Sequence, residues 1–418
     1  MTKQSSPSER VREIQRALQE ARLDGWLFYD FRKSDPLAYR ILLLDRAAFA
    51  SRRWAYYIPA EGEPVKIVHR IEQEKLDELP GRQLVYQRWQ QLHAHLREAM
   101  GISDDAQGAG NGSSSHPRVA MQYSPNNNIP YISRVDAGTV ELVRSFGAEP
   151  VTSADLVQLF EAVWTAEQKE THDRAADNIH RIILEAFAEI GRRIRAGEPT
   201  TEYDIQQFMV RRFEEEEMTS DDDPPIVAVN ANSAMPHYVP NSTRHSPIRR
   251  GDFVLLDVWA KLKRPGAVYA DQTWTGFVGE RVPPEHARIF EIVSRARDSA
   301  VEFLREQIGA GNYVRGAEVD DVSRGVIETA GYGAQFTTRT GHSIGEEVHG
   351  NGANIDNMET PDARRIIPRT CFSIEPGIYQ ENLFGLRSEI DVYVGDGEVE
   401  VTGQPVQTEI IPILRETA

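Results

Sequence analysis

The stretch GDFVLLDVWAKLKRPGAVYADQTWTGFV, residues 251–278, holds two apolar runs with a single aspartate in each. Asp257 follows four apolar residues, and Asp271 follows the apolar run AVYA. Between the runs, KLKRPG ends in Pro-Gly, a turn signal. This pattern predicts two strands joined as a hairpin, with the two carboxylates side by side on it. An ionised carboxylate at or in a buried strand is costly unless a cation faces it. Two together repel unless they share a proton or a metal. Taken alone, the pair fits a structural role as well as it fits a ligand role.

Three further stretches place polar groups on apolar frames. TGHSIGEEVHG (340–350) carries His342 and His349, with glycines close by that let the backbone approach a site. FSIEPGIY (372–379) puts Glu375 at the end of an apolar run, directly before Pro-Gly. GLRSEIDVYV (385–394) puts Glu389 at the entrance to another run, beside Arg387. Four carboxylates and one imidazole make an oxygen-rich set suited to Mn²⁺, Co²⁺ or Zn²⁺. Four carboxylates exceed what one ion needs, so two ions are expected.

Outward from this centre, the chain reads as two domains. Residues 1–164 alternate helix and strand patterns: a helix from Glu9 to Ala21, the strand GWLFYDF (25–31), the run RRWAYYIPAEGEPVKIVHR (52–70), RVAMQYSP (118–125) and a helical DAGTVELVRSFG (136–147). Asp105–Pro117 is Gly- and Ser-rich and is expected to be a flexible loop. Thr165 with Gln168 forms a capping-box pattern that opens a helix running to Arg195. Ile179, Ile183, Phe187, Ile190 and Ile194 give that helix one apolar face. A second helix starts at Glu202 and runs into EEEEMTSDDDPP (214–225), read as a solvated helix end. From Pro225 onward strands predominate, interrupted by two helices, which makes residues 165–418 an α+β domain with helices flanking an antiparallel sheet.

Composition bounds the partners. The 418 residues carry a formal net charge of −17, which argues against a nucleic-acid partner. No apolar run is long enough for a membrane helix, and the N-terminus lacks the pattern of a secretory signal. The single cysteine, Cys371, cannot form an internal disulfide, in keeping with a reducing cytoplasm.

The order and context of these motifs, from Thr165 to the C-terminus, resemble the pita-bread metallopeptidases, the family of methionine aminopeptidase, aminopeptidase P and prolidase. The resemblance implies a curved antiparallel sheet flanked by helices and a dinuclear centre held by Asp257, Asp271, His342, Glu375 and Glu389. It implies Mn²⁺ foremost, with Co²⁺ or Zn²⁺ as alternatives. It makes Glu375 the general base and proton donor, with a water between the cations as nucleophile. His237, in PHYVPN, and His349 match histidines that face the substrate, and Arg387 matches a residue that orients the carboxylates. Residues 1–164 resemble the creatinase-type N-terminal α/β domain, which implies short peptides with proline after the scissile bond and a homodimer.

Two departures stand out. Trp259 occupies a position where relatives have glycine, and Trp274 stands where D-x-T-R-T would place arginine; both are expected to fill core or hairpin space. Two rival expectations remain. One is a same-fold hydrolase of a non-peptide substrate, creatinase-like or acting on organophosphates. The other is a binding homologue without catalysis.

Overall fold

The computed structural model describes residues 6–102 and 116–415. The expected Gly/Ser-rich loop therefore lies, as far as residue 115, outside the described residues. The chain forms two compact units, Met1–Glu161 and Ala162–Ala418.

In the first unit, α1 (Pro7–Glu20) is capped by Ser6 and Glu9, each side chain bonding the other's backbone N–H. A six-stranded mixed sheet follows, built from β1 (Gly25–Asp30), β2 (Trp54–Pro59), β3 (Val65–His69), β4 (Arg82–Tyr86), β5 (Arg118–Met121) and β6 (Glu149–Thr152). Its order is β4-β3-β2-β1-β5-β6. Helices α2 (Pro36–Ile41), α3 (Trp89–Ala99), α4 (Ala137–Ser145) and α5 (Ala154–Glu161) lie between and after these strands. Trp26 and Phe28 of β1 enter one core and Leu27 enters another. Both faces of the sheet are therefore covered, the condition under which strands read as continuous apolar runs.

The second unit opens with α6 (Ala166–Ala196), whose Thr165–Gln168 capping box is formed as expected. Gly197 ends the helix in the left-handed conformation. Next come α7 (Glu202–Glu215), β7 (Met218–Thr219), β8 (Ile226–Val229), β9 (Phe253–Leu262) and β10 (Ala270–Phe277). Helices α8 (Pro284–Gly309) and α9 (Gly316–Thr329) precede β11 (Ser343–Ile344), β12 (Thr370–Ile374), β13 (Gly377–Gln380), β14 (Phe384–Arg387), β15 (Ile390–Val394), β16 (Val399–Val401) and β17 (Ile411–Pro412).

β9 and β10 form the expected antiparallel hairpin, flanked by β7, β8 and β17, with β17 parallel to β10. β11, β12, β15 and β16 make a second antiparallel sheet, and β13 pairs with β14. FSIEPGIY divides at Glu375-Pro376, so β12 and β13 belong to different sheets. Alternation then assigns faces. Val254, Leu256, Val258 and Ala260 of β9, with Ala270 and Trp274 of β10, pack with Ile179, Ile183, Phe187 and Ile190 of α6 in one core. Asp257 and Asp271 lie on the opposite face, and that face carries the site.

Candidate metal centre

Strand register brings the five expected ligands together. In the β9–β10 hairpin Asp271 is paired with Trp259, and Asp257 with Thr273. The two aspartates are thus diagonal neighbours on one face rather than directly opposite, because a long connection separates the strands. Ile374 of β12 is paired with Ile390 of β15. Glu375, one residue beyond the former, and Glu389, one before the latter, consequently emerge at the same end of the pair. His342 directly precedes β11 and is tied to β12, its N–H donating to Ser373 Oγ (3.1 Å) and its carbonyl accepting from Ser373 N (2.9 Å). Gly341 is required here, since a Cβ on it would lie 1.9 Å from the Ser373 carbonyl oxygen. The two sheets meet where Asp271 N donates to Asp391 Oδ2 (2.8 Å).

One oxygen of Asp271, one of Glu389 and one ring nitrogen of His342 lie within 4.8 Å of one another. His342 Nε2 is 3.5 Å from Glu375 Oε1. Thr273 Oγ1 lies 2.9 Å from Asp257 Oδ1 and 2.6 Å from Glu389 Oε2. Arg387 sits among the carboxylates, paired with Asp257, 3.5 Å from Glu375 Oε2, and donating from Nε to Thr273 Oγ1 (2.9 Å). The T-shaped ring of His349 stands 4.3 Å from that of His342. His237 lies on the rim of a cavity of about 540 Å³ with Tyr238, Arg244, Thr337 and Thr338.

The electrostatics are those of crowded negative charge. Burial pushes the Asp271 carboxyl well up, and Asp257, Asp391 and Glu375 push it further. Burial, followed by Asp271, Glu375 and Asp257, does the same to Glu389. Glu375 is also raised by burial, against the pull of Arg387 and Arg339. Burial holds His342 well below the usual imidazole range, keeping it neutral and able to ligate. His349 is depressed to about 4 by desolvation of its crowded ring and by Arg339 and His237.

The donor set fits divalent cations. It is oxygen-rich with one nitrogen, its four carboxylates outnumber the guanidiniums of Arg387 and Arg339, and Asp271 Oδ1 is buried with no hydrogen-bond partner in the protein. A carboxylate oxygen left so is costly in an apolar interior and is satisfied by a cation.

Two participants went unnoticed in the sequence. Asp391 is buried two residues beyond Glu389, on the same strand face, and orients Asp271; strand alternation alone carried that signal. Thr273, two residues beyond Asp271, bridges Asp257, Glu389 and Arg387. The two tryptophans take different faces. Trp274 packs in the α6 core, edge-on to His180 at 4.9 Å, as expected of a filler. Trp259 shares the face of Asp257, and its indole N–H is buried with no partner in the protein.

Comparison with known proteins bears on the family and the fold. The model of metallopeptidase family M24 matches residues 174–396. The Xaa-Pro dipeptidase of Pyrococcus furiosus is 30% identical over 247 residues, which cover 57% of this chain and 62% of the relative. Dipeptidase PepE of Mycobacterium ulcerans superposes with a TM-score of 0.67 at 22% identity, over 98% of both chains. The X-prolyl aminopeptidase of Caenorhabditis elegans, described as a cytosolic enzyme with a di-nuclear active site, superposes with a TM-score of 0.63 at 15% identity, over 97% of this chain and 63% of that one. At these identities the structural likeness is one of fold. The chain spans about half the length of the curated relatives it matches.

Proposed function

The chain belongs to metallopeptidase family M24 and has its pita-bread fold, and from that membership we propose that it hydrolyses the N-terminal peptide bond of short Xaa-Pro substrates. The observation that carries the proposal is the buried cluster of Asp271, His342 and Glu389, with Glu375 against His342 and Asp257 joined through Thr273 and Arg387, which holds more negative charge than Arg387 and Arg339 can neutralise. These five side chains would hold two divalent cations, Mn²⁺ foremost and Co²⁺ or Zn²⁺ as alternatives. Such ions would polarise the scissile carbonyl and lower the pKa of a water.

The chain's own residues do the rest. Glu375 takes a proton from the attacking water on a carboxylate oxygen and passes it to the leaving prolyl nitrogen. His349 is neutral at physiological pH and donates a hydrogen bond to the oxygen that gains charge; His237 donates to the same oxygen or to the substrate backbone. Arg387 and Thr273 fix the carboxylate orientations from behind.

Further assignments belong to the same proposal. Residues 1–164 act as a creatinase-type domain, and the protein is a homodimer. Support for the dimer comes from large apolar side chains left exposed on the first unit, among them Phe49 at 78%, Ile71 at 64% and Trp89 at 58%. A cytoplasmic location rests on the lone, buried Cys371. Among the described residues, no helix is long and apolar enough to cross a membrane.

The test is a peptide panel with added Mn²⁺, Co²⁺ or Zn²⁺, comparing Xaa-Pro dipeptides, Xaa-Pro-Xaa tripeptides and Met-Ala peptides. Cleavage of the proline substrates is expected; turnover of Met-Ala peptides alone overturns the proposal.

A further inference from the structure

Glu202, the first residue of α7, is completely buried, yet its four hydrogen bonds all come from uncharged donors. Oε1 accepts from Val229 N (2.8 Å) and Asn232 Nδ2 (2.8 Å). Oε2 accepts from Tyr238 OH (2.6 Å) and Ser246 N (2.6 Å). Val229 ends β8, and the other three donors belong to the connection from β8 to β9, which holds little regular structure beyond one short 3₁₀ turn. That connection carries His237, next to Tyr238.

The near end of the connection is pinned elsewhere. Asn230 bridges Asp252 and Phe253 N at 2.8 and 2.9 Å, and Ser233 Oγ accepts from Gly385 N (2.9 Å). Gly385 is needed for that approach, since a Cβ on it would lie 2.1 Å from the Ser233 carbonyl oxygen. The segment beyond Ser233 is gathered by Glu202, through Tyr238 and Ser246. Only a carboxylate can accept all four bonds. An amide offers one oxygen, and its NH₂ would face the Ser246 N–H, a donor that cannot reverse.

We infer that Glu202 is a positioning residue, whose carboxylate gathers residues 229–246 so that His237 is held toward the substrate. The inference rests on the proposed role of His237 as a hydrogen-bond donor to substrate. It adds a residue that no ligand motif marks and that lies outside the metal cluster.

The test is a double-mutant cycle between Glu202→Gln and His237→Ala, with the Mn²⁺-loaded protein and Ala-Pro-Ala as substrate. Hydrogen–deuterium exchange of the metal-free protein runs in parallel. Glu202→Gln is expected to lower kcat by about 10- to 100-fold, as misplacing a catalytic group by a fraction of its reach does, with KM within about threefold. In the His237→Ala background the same change should lower kcat by less than about threefold, since coupled residues are non-additive. Exchange should quicken across residues 229–246 and remain unchanged in α8 and α9. If Glu202→Gln costs as much without His237 as with it, Glu202 is merely structural and the inference fails. If His237→Ala is itself as active as the parent, the role of His237 falls and the inference with it. Should Glu202→Gln not fold, Tyr238→Phe removes one donor of the four and carries the same cycle with the same criteria.

Discussion

Asp271→Asn separates a metal site from an ordinary buried salt-bridge network, because the two assign it opposite signs in the metal-free protein. In a salt-bridge network, losing one carboxylate strands a cation and destabilises. Here the carboxylate is one of four, of which Asp257 and Glu375 face Arg387 and Glu375 also feels Arg339. An oxygen of Asp271 lies within 4.8 Å of one of Glu389. At an effective dielectric of 20, two full charges at that separation repel by about 3.5 kcal/mol. Proton uptake relieves part of this, since burial, Asp257, Asp391 and Glu375 all raise the Asp271 pKa. The near-isosteric amide is thus expected to stabilise the chelated protein by about 1–3 kcal/mol at pH 8, or roughly 2–10 °C in the transition of a unit this size.

The pH dependence follows from the sign of the shift. A carboxyl whose folded pKa is raised leaves stability intact below its unfolded value, and that stability is lost as pH rises through the folded value. The gap between variant and parent should therefore open with rising pH and close toward the ordinary aspartate range. Cations reverse the order. At 100 times its dissociation constant, an ion stabilises the parent by about 2.7 kcal/mol, and the variant, short of a ligand, gains less. Calorimetry of chelated and Mn²⁺-loaded forms at two pH values reads both effects. A chelated variant melting several degrees below the parent, with a gap that metal leaves unchanged, would refute the metal assignment.

Glu375→Gln should lower turnover by about three orders of magnitude, and steady-state rates near those of the parent would remove Glu375 as the base. Trp274→Ala, in the α6 core, should cost about 3–5 kcal/mol in urea denaturation while leaving kcat/KM of the folded protein nearly unchanged. Trp259→Gly, on the site face, should raise kcat/KM about tenfold for peptides with a bulky first residue relative to Ala-Pro-Ala; an unchanged profile sinks that role. His172 is wholly buried in its neutral form, Nδ1 bonded to the Tyr269 carbonyl and Nε2 to Thr402 Oγ1, each at 2.7 Å, and burial depresses its pKa to about 4. The unfolded chain takes up that proton first, so as pH falls from about 6.5 to 4 this group removes about 3 kcal/mol of stability. His172→Gln should flatten that part of the stability profile, and equal slopes in variant and parent would contradict it.

What was legible in the sequence was local or repeated. The Thr165–Gln168 cap, the apolar face of α6 and the two strands around Asp257 and Asp271 each follow from residues close in the chain. The register of the hairpin was not legible, since it depends on how a long connection closes; the aspartates therefore meet on a diagonal. Glu202 was invisible for a different reason. Its partners lie 27 to 44 residues away, and two of the four are backbone amides, which carry no residue identity. Asp391 falls between these cases: its alternation with Glu389 was readable, but its partner is the amide of Asp271, 120 residues earlier.

The two faces of the β9–β10 hairpin divide the work of the second unit. The face toward α6 is apolar apart from Gln272, whose amide donates to the Ala176 carbonyl, and each aliphatic or aromatic side chain buried there contributes about 1.5–3 kcal/mol. The other face carries Asp257, Asp271 and Thr273, which oppose folding until charge or hydrogen bonds compensate them. Such a cluster is tolerated because the apolar face over-stabilises the same two strands. It follows that the hairpin stays ordered without metal, and that the ligands are pre-positioned instead of being folded by the ion. Metal should then bind with little change in hydrogen exchange across β9 and β10. Broad protection gained there on adding Mn²⁺ would mean that the apolar face does not suffice, and that the site is built by the ion it holds.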